Sequence, residues 1–313
     1  MSDIFEHRSA SPMLIGKEGP PIDSKDYIHE LKLDGIRCLA YLDMDSTDLY
    51  NKRNIHVSAI YPELSQIHRQ VKKRCILDGE LLVMKDGRPA FAEIQRRSLM
   101  SNPFRIQLAA KQLPVSFTTF DILYLDDRQV TELPLMERKS LLAGVVREEN
   151  ERLSVSRFVE EQGRALYALA EQNNLEGIVC KRKDSRYYFG KRTRYWVKAK
   201  NMQDDDFLIC GYIPKSDGVV SLVLGQYDRG RQLLYKGHVT LGISKDDLQR
   251  VFSAPKTTQP GFQKLPTGNE RAVWIEPLVG TVQYMEKTSS GSLRQPVFKG
   301  LREDKVPQEC QGH

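Results

Sequence analysis

Several common chemistries are missing from this chain. Its five cysteines (Cys38, Cys75, Cys180, Cys210, Cys310) are odd in number, scattered and never arranged as Cys-x-x-Cys. That argues against a disulfide framework or a zinc site and fits a reducing cytosol. No run of about 18 apolar residues occurs, so no membrane span is expected. Residues 1–10 lack the basic-then-apolar pattern of a signal peptide. Neither Gly-x-x-x-x-Gly-Lys nor His-Glu-x-x-His is present, which excludes P-loop and zincin mechanisms. No internal repeat or low-complexity tract is visible.

What remains is an ordinary globular balance, 40% hydrophobic and 28% charged, over 313 residues, a length that suits two domains. The net charge of +6 is by itself a weak pointer to a polyanionic partner. Its distribution is more informative. Residues 181–200 hold nine Lys or Arg against one acid, Asp184, with Tyr187, Tyr188, Phe189, Tyr195 and Trp196 among them. Such a wall suits phosphate contacts, because cations release counterions from nucleic acid.

Strand-like runs alternate irregularly with helical ones. Residues 27–33, 36–43 and 115–124 read as strands, the second with Ile36, Cys38, Ala40 and Leu42 on one face. Residues 75–84 read as two strands pinched at Asp78-Gly79. Residues 60–71, 137–149 and 162–172 carry helical spacing, and Pro62 suits a first turn. Helices do not follow each strand, so the class is α+β with mainly antiparallel sheets. A boundary falls near Asn201 to Asp206, giving domains 1–201 and 202–313. Beyond it come runs 207–212, 219–227, 232–239 and 273–284. One helix, 244–252, has Ser244 as N-cap, and residues 253–269 read as a loop. Five or so strands with one helix suit an OB-type barrel.

Five segments stand in fixed order: Glu30-Leu31-Lys32-Leu33-Asp34-Gly35-Ile36-Arg37, Asp78-Gly79-Glu80-Leu81, Phe120-Asp121-Ile122-Leu123-Tyr124, Glu176-Gly177-Ile178-Val179-Cys180-Lys181 and Trp196-Val197-Lys198-Ala199-Lys200. A sixth, Phe298-Lys299-Gly300-Leu301-Arg302-Glu303-Asp304-Lys305, lies near the C-terminus. Singly each is weak. Together they resemble the motifs of covalent nucleotidyltransferases, the DNA ligases, RNA ligases and mRNA capping enzymes. With Tyr61-Pro62-Glu63-Leu64 and Leu133-Pro134-Leu135, the tail is most similar to the ligase module of bacterial end-joining DNA ligases.

The resemblance implies an adenylation domain followed by an OB domain, and an ATP-dependent DNA ligase that nucleotidylates Lys32. A protonated lysine cannot attack a phosphorus atom, so Lys32 must lose its charge, which nearby cations and a metal favour. Arg37, Lys198 and Lys200 are the available cations, and Lys198 and Lys200 share one face of a strand with Trp196. By resemblance both lysines meet the α-phosphate. Glu176, Glu80 and Asp34 are the candidate ligands for Mg²⁺ or Mn²⁺, with Glu80 also near the ribose. Phe120 is expected to stack on adenine and Glu30 to lie at the nucleobase edge. Arg53 matches an arginine near ribose and phosphates, although Ile55 follows where glycine is expected. Arg302 and Lys305 are expected to neutralise departing pyrophosphate with Asp304 orienting them, and a hinge is expected near Lys200 to Asp206. Gln95, Arg97 and Arg192 are further candidates for facing nucleic acid or nucleotide.

The expected partner is DNA, as a nicked or broken duplex, with a Ku-like end-binding protein as a possible helper. A cytoplasmic, nucleoid-associated monomer of bacterial type is expected. Two alternatives stand beside this reading: an RNA ligase or capping-type nucleotidyltransferase, and a non-catalytic nucleic-acid-binding OB module.

Overall fold

Alternating apolar residues place two faces of one sheet in two different cores. In the computed structural model, which describes residues 3–311 except 86, 216–217, 259, 263 and 289–290, the contacts divide the chain into two compact units, Met1–Asn201 and Met202–His313. The strands of the first are β1 (Tyr27–Leu31), β2 (Ile36–Leu42), β3 (Thr47–Asn51), β4 (Cys75–Lys85), β5 (Arg88–Pro89), β6 (Val115–Leu125), β7 (Arg128–Gln129), β8 (Leu153–Val155), β9 (Phe158–Glu160), β10 (Gly177–Arg182) and β11 (Trp196–Lys200). Its helices are α1 (Phe91–Ser98), α2 (Pro103–Gln112), α3 (Leu135–Val145) and α4 (Gly163–Gln172).

Two sheets result. One has the order β3-β2-β4-β6-β7, with β5 and β8 attached. The other has the order β11-β10-β1-β9 and is antiparallel throughout. Cys38, Ala40 and Leu42 face one core with Leu77, Ile122 and Leu142. Leu39 and Tyr41, one register step away, join Phe120 and Leu123 against Val179 and Trp196 of the smaller sheet. That second core is where the two sheets face each other. The far side of the smaller sheet packs Ile178, Cys180 and Ala199 against Ala170 of α4.

The second unit comprises β12 (Gln203–Pro214), β13 (Val220–Tyr227), β14 (Leu233–Val239), α5 (Lys245–Ser253), β15 (Val273–Tyr284) and β16 (Val297–Leu301). Its antiparallel order is β14-β13-β12-β15-β16, and a bridge from Leu241 to Val297 joins the two edges into an OB-type barrel. Phe207, Ile209, Leu222, Leu224, Val282 and Phe298 fill it. Ser244 Oγ accepts from Asp247 N at 3.0 Å and caps α5. Among the described residues, no helix is long and apolar enough to cross a membrane.

The structure departs from the sequence reading in four places. The helix expected over 60–71 is three 3-10 turns, Ser58–Ile60, Pro62–Leu64 and Ile67–Gln70. Long-range anchors break it up: Glu63 accepts from Val115 N at 2.9 Å and pairs with Arg97 at 3.1 Å, while Leu64 and Ile67 are drawn into the core. The two strands expected over 75–84 are one, β4, whose register shifts at Asp78/Gly79. Helices α1 and α2 were not anticipated, although Asn102 before Pro103 is a readable start and its side chain accepts from Arg105 N at 3.1 Å. The linker expected through Asp206 is already strand, since Gln203 to Asp206 pair with Tyr284 to Thr281 of β15. Residues 259 and 263 of the expected 253–269 loop lie outside the described residues.

Candidate active site

Lys32 stands where the chain crosses from one sheet to the other. It directly follows β1, and its N–H donates to Gly177 O at 2.8 Å, one step beyond the Leu31–Ile178 pair. The side chain meets Glu176, the residue before β10, with Nζ 2.7 Å from Oε1. Two glycines make this crossing feasible. Gly177 has φ 123°, and a Cβ there would stand 2.1 Å from Ala199 O. A Cβ on Gly35 would stand 2.2 Å from Leu81 O and 2.8 Å from Glu80 Cγ, so only glycine lets the chain enter β2 this close to β4.

Across the β2–β4 ladder Arg37 faces Glu80. Burial pushes the Glu80 carboxyl up to about 8; Arg37 and Lys32 oppose that, while Asp78 and Glu176 reinforce it. Burial also raises Glu176, against the attraction of Lys32, and Asp34 adds to the rise. Both carboxyls are thus raised first by burial, with the neighbouring acids a smaller addition. On β11, burial followed by repulsion from Lys200 lowers the ammonium pKa of Lys198, to which Lys32 also contributes. Lys32, Asp34, Glu80, Glu176, Lys198 and Lys200 are thus brought together, as the motif order predicts.

Among the described residues, no group of three or more His, Cys, Asp or Glu is gathered as a metal cage. Glu80 and Glu176 nevertheless suit a hard divalent cation. Such an ion binds through one or two carboxylates and completes its shell with phosphate oxygens and water. The oxygen donors of these two carboxylates fit Mg²⁺ or Mn²⁺.

The remaining expected residues differ in what holds them. Arg37 is spent on Asp78, which accepts from Nε at 2.6 Å and Nη2 at 2.7 Å. Glu30 is buried with its carboxylate committed to Lys139, to Lys181 at 3.0 Å and to Ser156 Oγ at 3.1 Å. Burial raises this carboxyl, but the two lysines outweigh it and hold it below the usual range. Glu30 thus anchors Lys181 rather than presenting an open edge. Phe120 is 7% exposed; Arg37 Cζ lies 4.4 Å and Lys181 Nζ 4.3 Å from its ring centroid. Arg53 is exposed in a turn where Asn54, at φ 58°, takes the left-handed conformation. Arg97 is buried against Glu63 and Ile60 O, so it does not face nucleic acid, whereas Gln95 and Arg192 are exposed.

The basic wall separates into two halves. Lys181, Arg182, Lys183 and Arg186 are paired with Glu30, Asp184, Glu160 and Glu132. Lys191, Arg192 and Arg194 are exposed, with no acidic partner among the described residues. The sequence reading missed Asp78, Tyr187 and Lys139. Tyr187 donates to Asp78 at 2.5 Å and accepts from Met13 N at 2.8 Å, tying the N-terminal segment to the motif carboxylate. Asp78 was visible as a motif acid; its partners were not.

In the second unit, Arg302 forks onto Asp304 at 2.7 and 2.6 Å, as expected, and approaches Asp206 at 3.6 Å. Lys305 pairs with Asp206.

Comparison with known proteins decides what this arrangement belongs to. The family profile described as "ATP dependent DNA ligase domain" matches residues 18–200, and that of the "ATP dependent DNA ligase C terminal region" matches 215–305. The chain belongs to the ATP-dependent DNA ligase family. It is 30% identical to the multifunctional non-homologous end joining DNA repair protein LigD of Mycobacterium tuberculosis, over 98% of the chain but 40% of the relative. It is 29% identical to the SPbeta prophage-derived DNA ligase-like protein LigB of Bacillus subtilis, covering 93% of the chain and 98% of that protein. A solved structure of mycobacterial DNA ligase D complexed with ATP and MES superposes with a TM-score of 0.57 at 29% identity, covering 96% and 97% of the two chains. The chain thus spans less than half the length of these LigD relatives but nearly all of LigB.

Proposed function

We propose that this ligase seals DNA through a covalent lysyl-AMP formed at Lys32. The observation that supports it most directly is the 2.7 Å contact of Lys32 Nζ with Glu176 near the desolvated Glu80 carboxyl. Lys32 loses a proton, Glu176 Oε1 being the nearest acceptor, and its nitrogen bonds to the α-phosphorus of ATP. The bond from that phosphorus to the bridging oxygen breaks, and pyrophosphate leaves with the electron pair. A divalent cation bound there supplies neutralisation of phosphate charge. Glu80 and Glu176 would hold it, with Asp34 adding negative charge beside them. Lys198 and Lys200 neutralise the α-phosphate, Arg53 the ribose and phosphate side, and Arg302 with Lys305 the leaving pyrophosphate. Phe120, held by Arg37 and Lys181, is the floor of the base site, and Glu30 fixes Lys181 beneath it.

The 5′-phosphate of a DNA strand then takes AMP from Lys32, exchanging the P–N bond for a phosphoanhydride. A 3′-hydroxyl attacks the 5′-phosphorus, forming the phosphodiester and releasing AMP. The end-joining names of the LigD relatives support a role at broken duplexes; action on bacterial nucleoid DNA, a Ku-like end-binding helper and a monomeric state belong to the proposal as what the family resemblance implies.

The test is incubation with α-labelled ATP and Mg²⁺ after pyrophosphate treatment, followed by denaturing electrophoresis. Wild type should retain label and Lys32→Ala should not. Label from GTP instead of ATP would favour a capping-type enzyme, and no label from either nucleotide would leave a binding module as the better account.

A further inference from the structure

The two cations at the C-terminal motif are already occupied by carboxylates within their own unit. Arg302 is forked on Asp304, and its Nη1 also stands 3.6 Å from Asp206 Oδ2, the atom that pairs with Lys305. The second oxygen of Asp206 accepts from Thr281 Oγ1 at 2.7 Å. Asp206 and Thr281 are direct partners across the β12–β15 ladder, so the carboxylate is fixed by strand register as well as by its cations. The backbone holds the other side too, since Arg302 N donates to Val279 O at 2.8 Å. Two positive and two negative groups meet here and cancel. Burial raises the Asp206 carboxyl, but the bonds from Lys305 and Thr281 outweigh it and keep it ionised.

We propose that Asp206 is an internal stand-in for pyrophosphate, holding Arg302 and Lys305 ready at the motif and exchanging with the phosphate oxygens that those cations are there to receive. The proposal rests on the assignment of Arg302 and Lys305 to the pyrophosphate group. A carboxylate presents to a guanidinium and an ammonium the same oxygen-acceptor chemistry as a phosphate. Arg302 and Lys305 remain about one-third exposed, at 35% and 36% of the side chain, so the ion pairs stand in water-accessible surroundings where exchange is inexpensive. Asp304 differs in role. It belongs to the same loop as both cations and orients them, whereas Asp206 reaches them from a different strand and competes for them.

Asp206→Asn removes the competitor while keeping a polar group of the same size. The Michaelis constant for ATP in Lys32 adenylylation and the inhibition constant for inorganic pyrophosphate should then fall together, by about three- to fivefold, the scale of one exposed ion pair. Asp206→Glu, which restores the carboxylate, should return both constants toward wild type. Thr281→Val, which frees the carboxylate from its anchor, should lower both less, and it decides the matter if Asp206→Asn does not fold. Structural damage cannot mimic this result, because damage weakens binding rather than tightening it. Two outcomes overturn the proposal alone: both constants rise in Asp206→Asn, making Asp206 a support for the cations, or neither moves while Lys305→Ala raises both. If Lys305→Ala also leaves both unchanged, the assignment of these cations to pyrophosphate fails and the proposal falls with it.

Discussion

Arg37 grips Asp78 with two bonds of 2.6 and 2.7 Å across the β2–β4 ladder, and its guanidinium lies 4.4 Å from the Phe120 ring centroid. One side chain of the Lys32 motif is thereby fixed by the acid of the second motif and the aromatic of the third. Tyr187, through its 2.5 Å bond to Asp78, adds the basic segment, and Met13 adds the N-terminal segment. Asp78 is fully buried, so removing it strands a guanidinium with little water to compensate. Asp78→Ala should therefore cost about 3–5 kcal/mol of stability, the range for breaking a buried pair. Urea denaturation of the variant measures it. A loss below about 1 kcal/mol would mean the pair behaves like a surface contact.

Glu80 gives the fold a pH signature. Its carboxyl in the folded protein is raised to about 8 from an ordinary value near 4.5, so the folded state holds a proton the unfolded chain releases. The stabilising contribution is complete below the unfolded value and disappears as pH rises through about 8. Glu80→Gln, which cannot ionise, should therefore raise the melting temperature of metal-free protein at pH 9 and change it little at pH 4. The same variant should lose adenylylation. Thermal melts of both proteins across that range check the prediction, and an equal shift at both pH values would contradict it.

The sequence order of six motifs made the composition of the site readable before any coordinates. Lys32, Glu80, Glu176 and Lys198 do meet, because β1, β10 and β11 pair as neighbours and Gly35 brings β2 against β4. What the sequence hid was which charges are already spent. The wall over 181–200 reads as nine cations with one acid, yet Glu30, Glu132 and Glu160 reach it from distant segments and cancel part of it. Glu63 and Arg97 were opaque for the same reason. Their pairing depends on tertiary neighbours, and it both breaks the expected helix and buries an arginine that reads as a surface residue. Ser244, whose capping partner is three residues away, was legible because the interaction is local.

Gly177 links backbone strain to the site. Its φ of 123° is a conformation L side chains rarely adopt, and an added Cβ would meet Ala199 O at 2.1 Å. Gly177→Ala must move β10 away from β11 or twist the peptide that carries Glu176. A loss of about 2–4 kcal/mol is expected, combining the strain of a disfavoured φ with the overpacking of a buried strand. Adenylylation should fall as well, because Lys32 N is bonded to Gly177 O and Glu176 is the next residue. Calorimetry and the label assay on one preparation decide this. Near-wild-type stability together with near-wild-type labelling would show that the ladder relaxes around the added methyl.

The two halves of the basic wall should behave differently toward DNA. Lys191, Arg192 and Arg194 are exposed without acidic partners among the described residues, whereas Arg182, Lys183 and Arg186 are held by Asp184, Glu160 and Glu132. Binding of a nicked duplex releases about 0.9 counterion per phosphate neutralised, so each lost contact flattens the salt dependence by roughly one unit of slope. Replacing Lys191, Arg192 and Arg194 by Ser should weaken binding at low salt and reduce the slope by about two to three. Replacing Arg182, Lys183 and Arg186 should leave the slope nearly unchanged, because those cations are already neutralised by their carboxylates and release no counterions to DNA. Binding isotherms at several salt concentrations separate the cases. Equal slopes for the two triple variants would mean that the ion pairs open when DNA binds, and that the whole wall contacts phosphate.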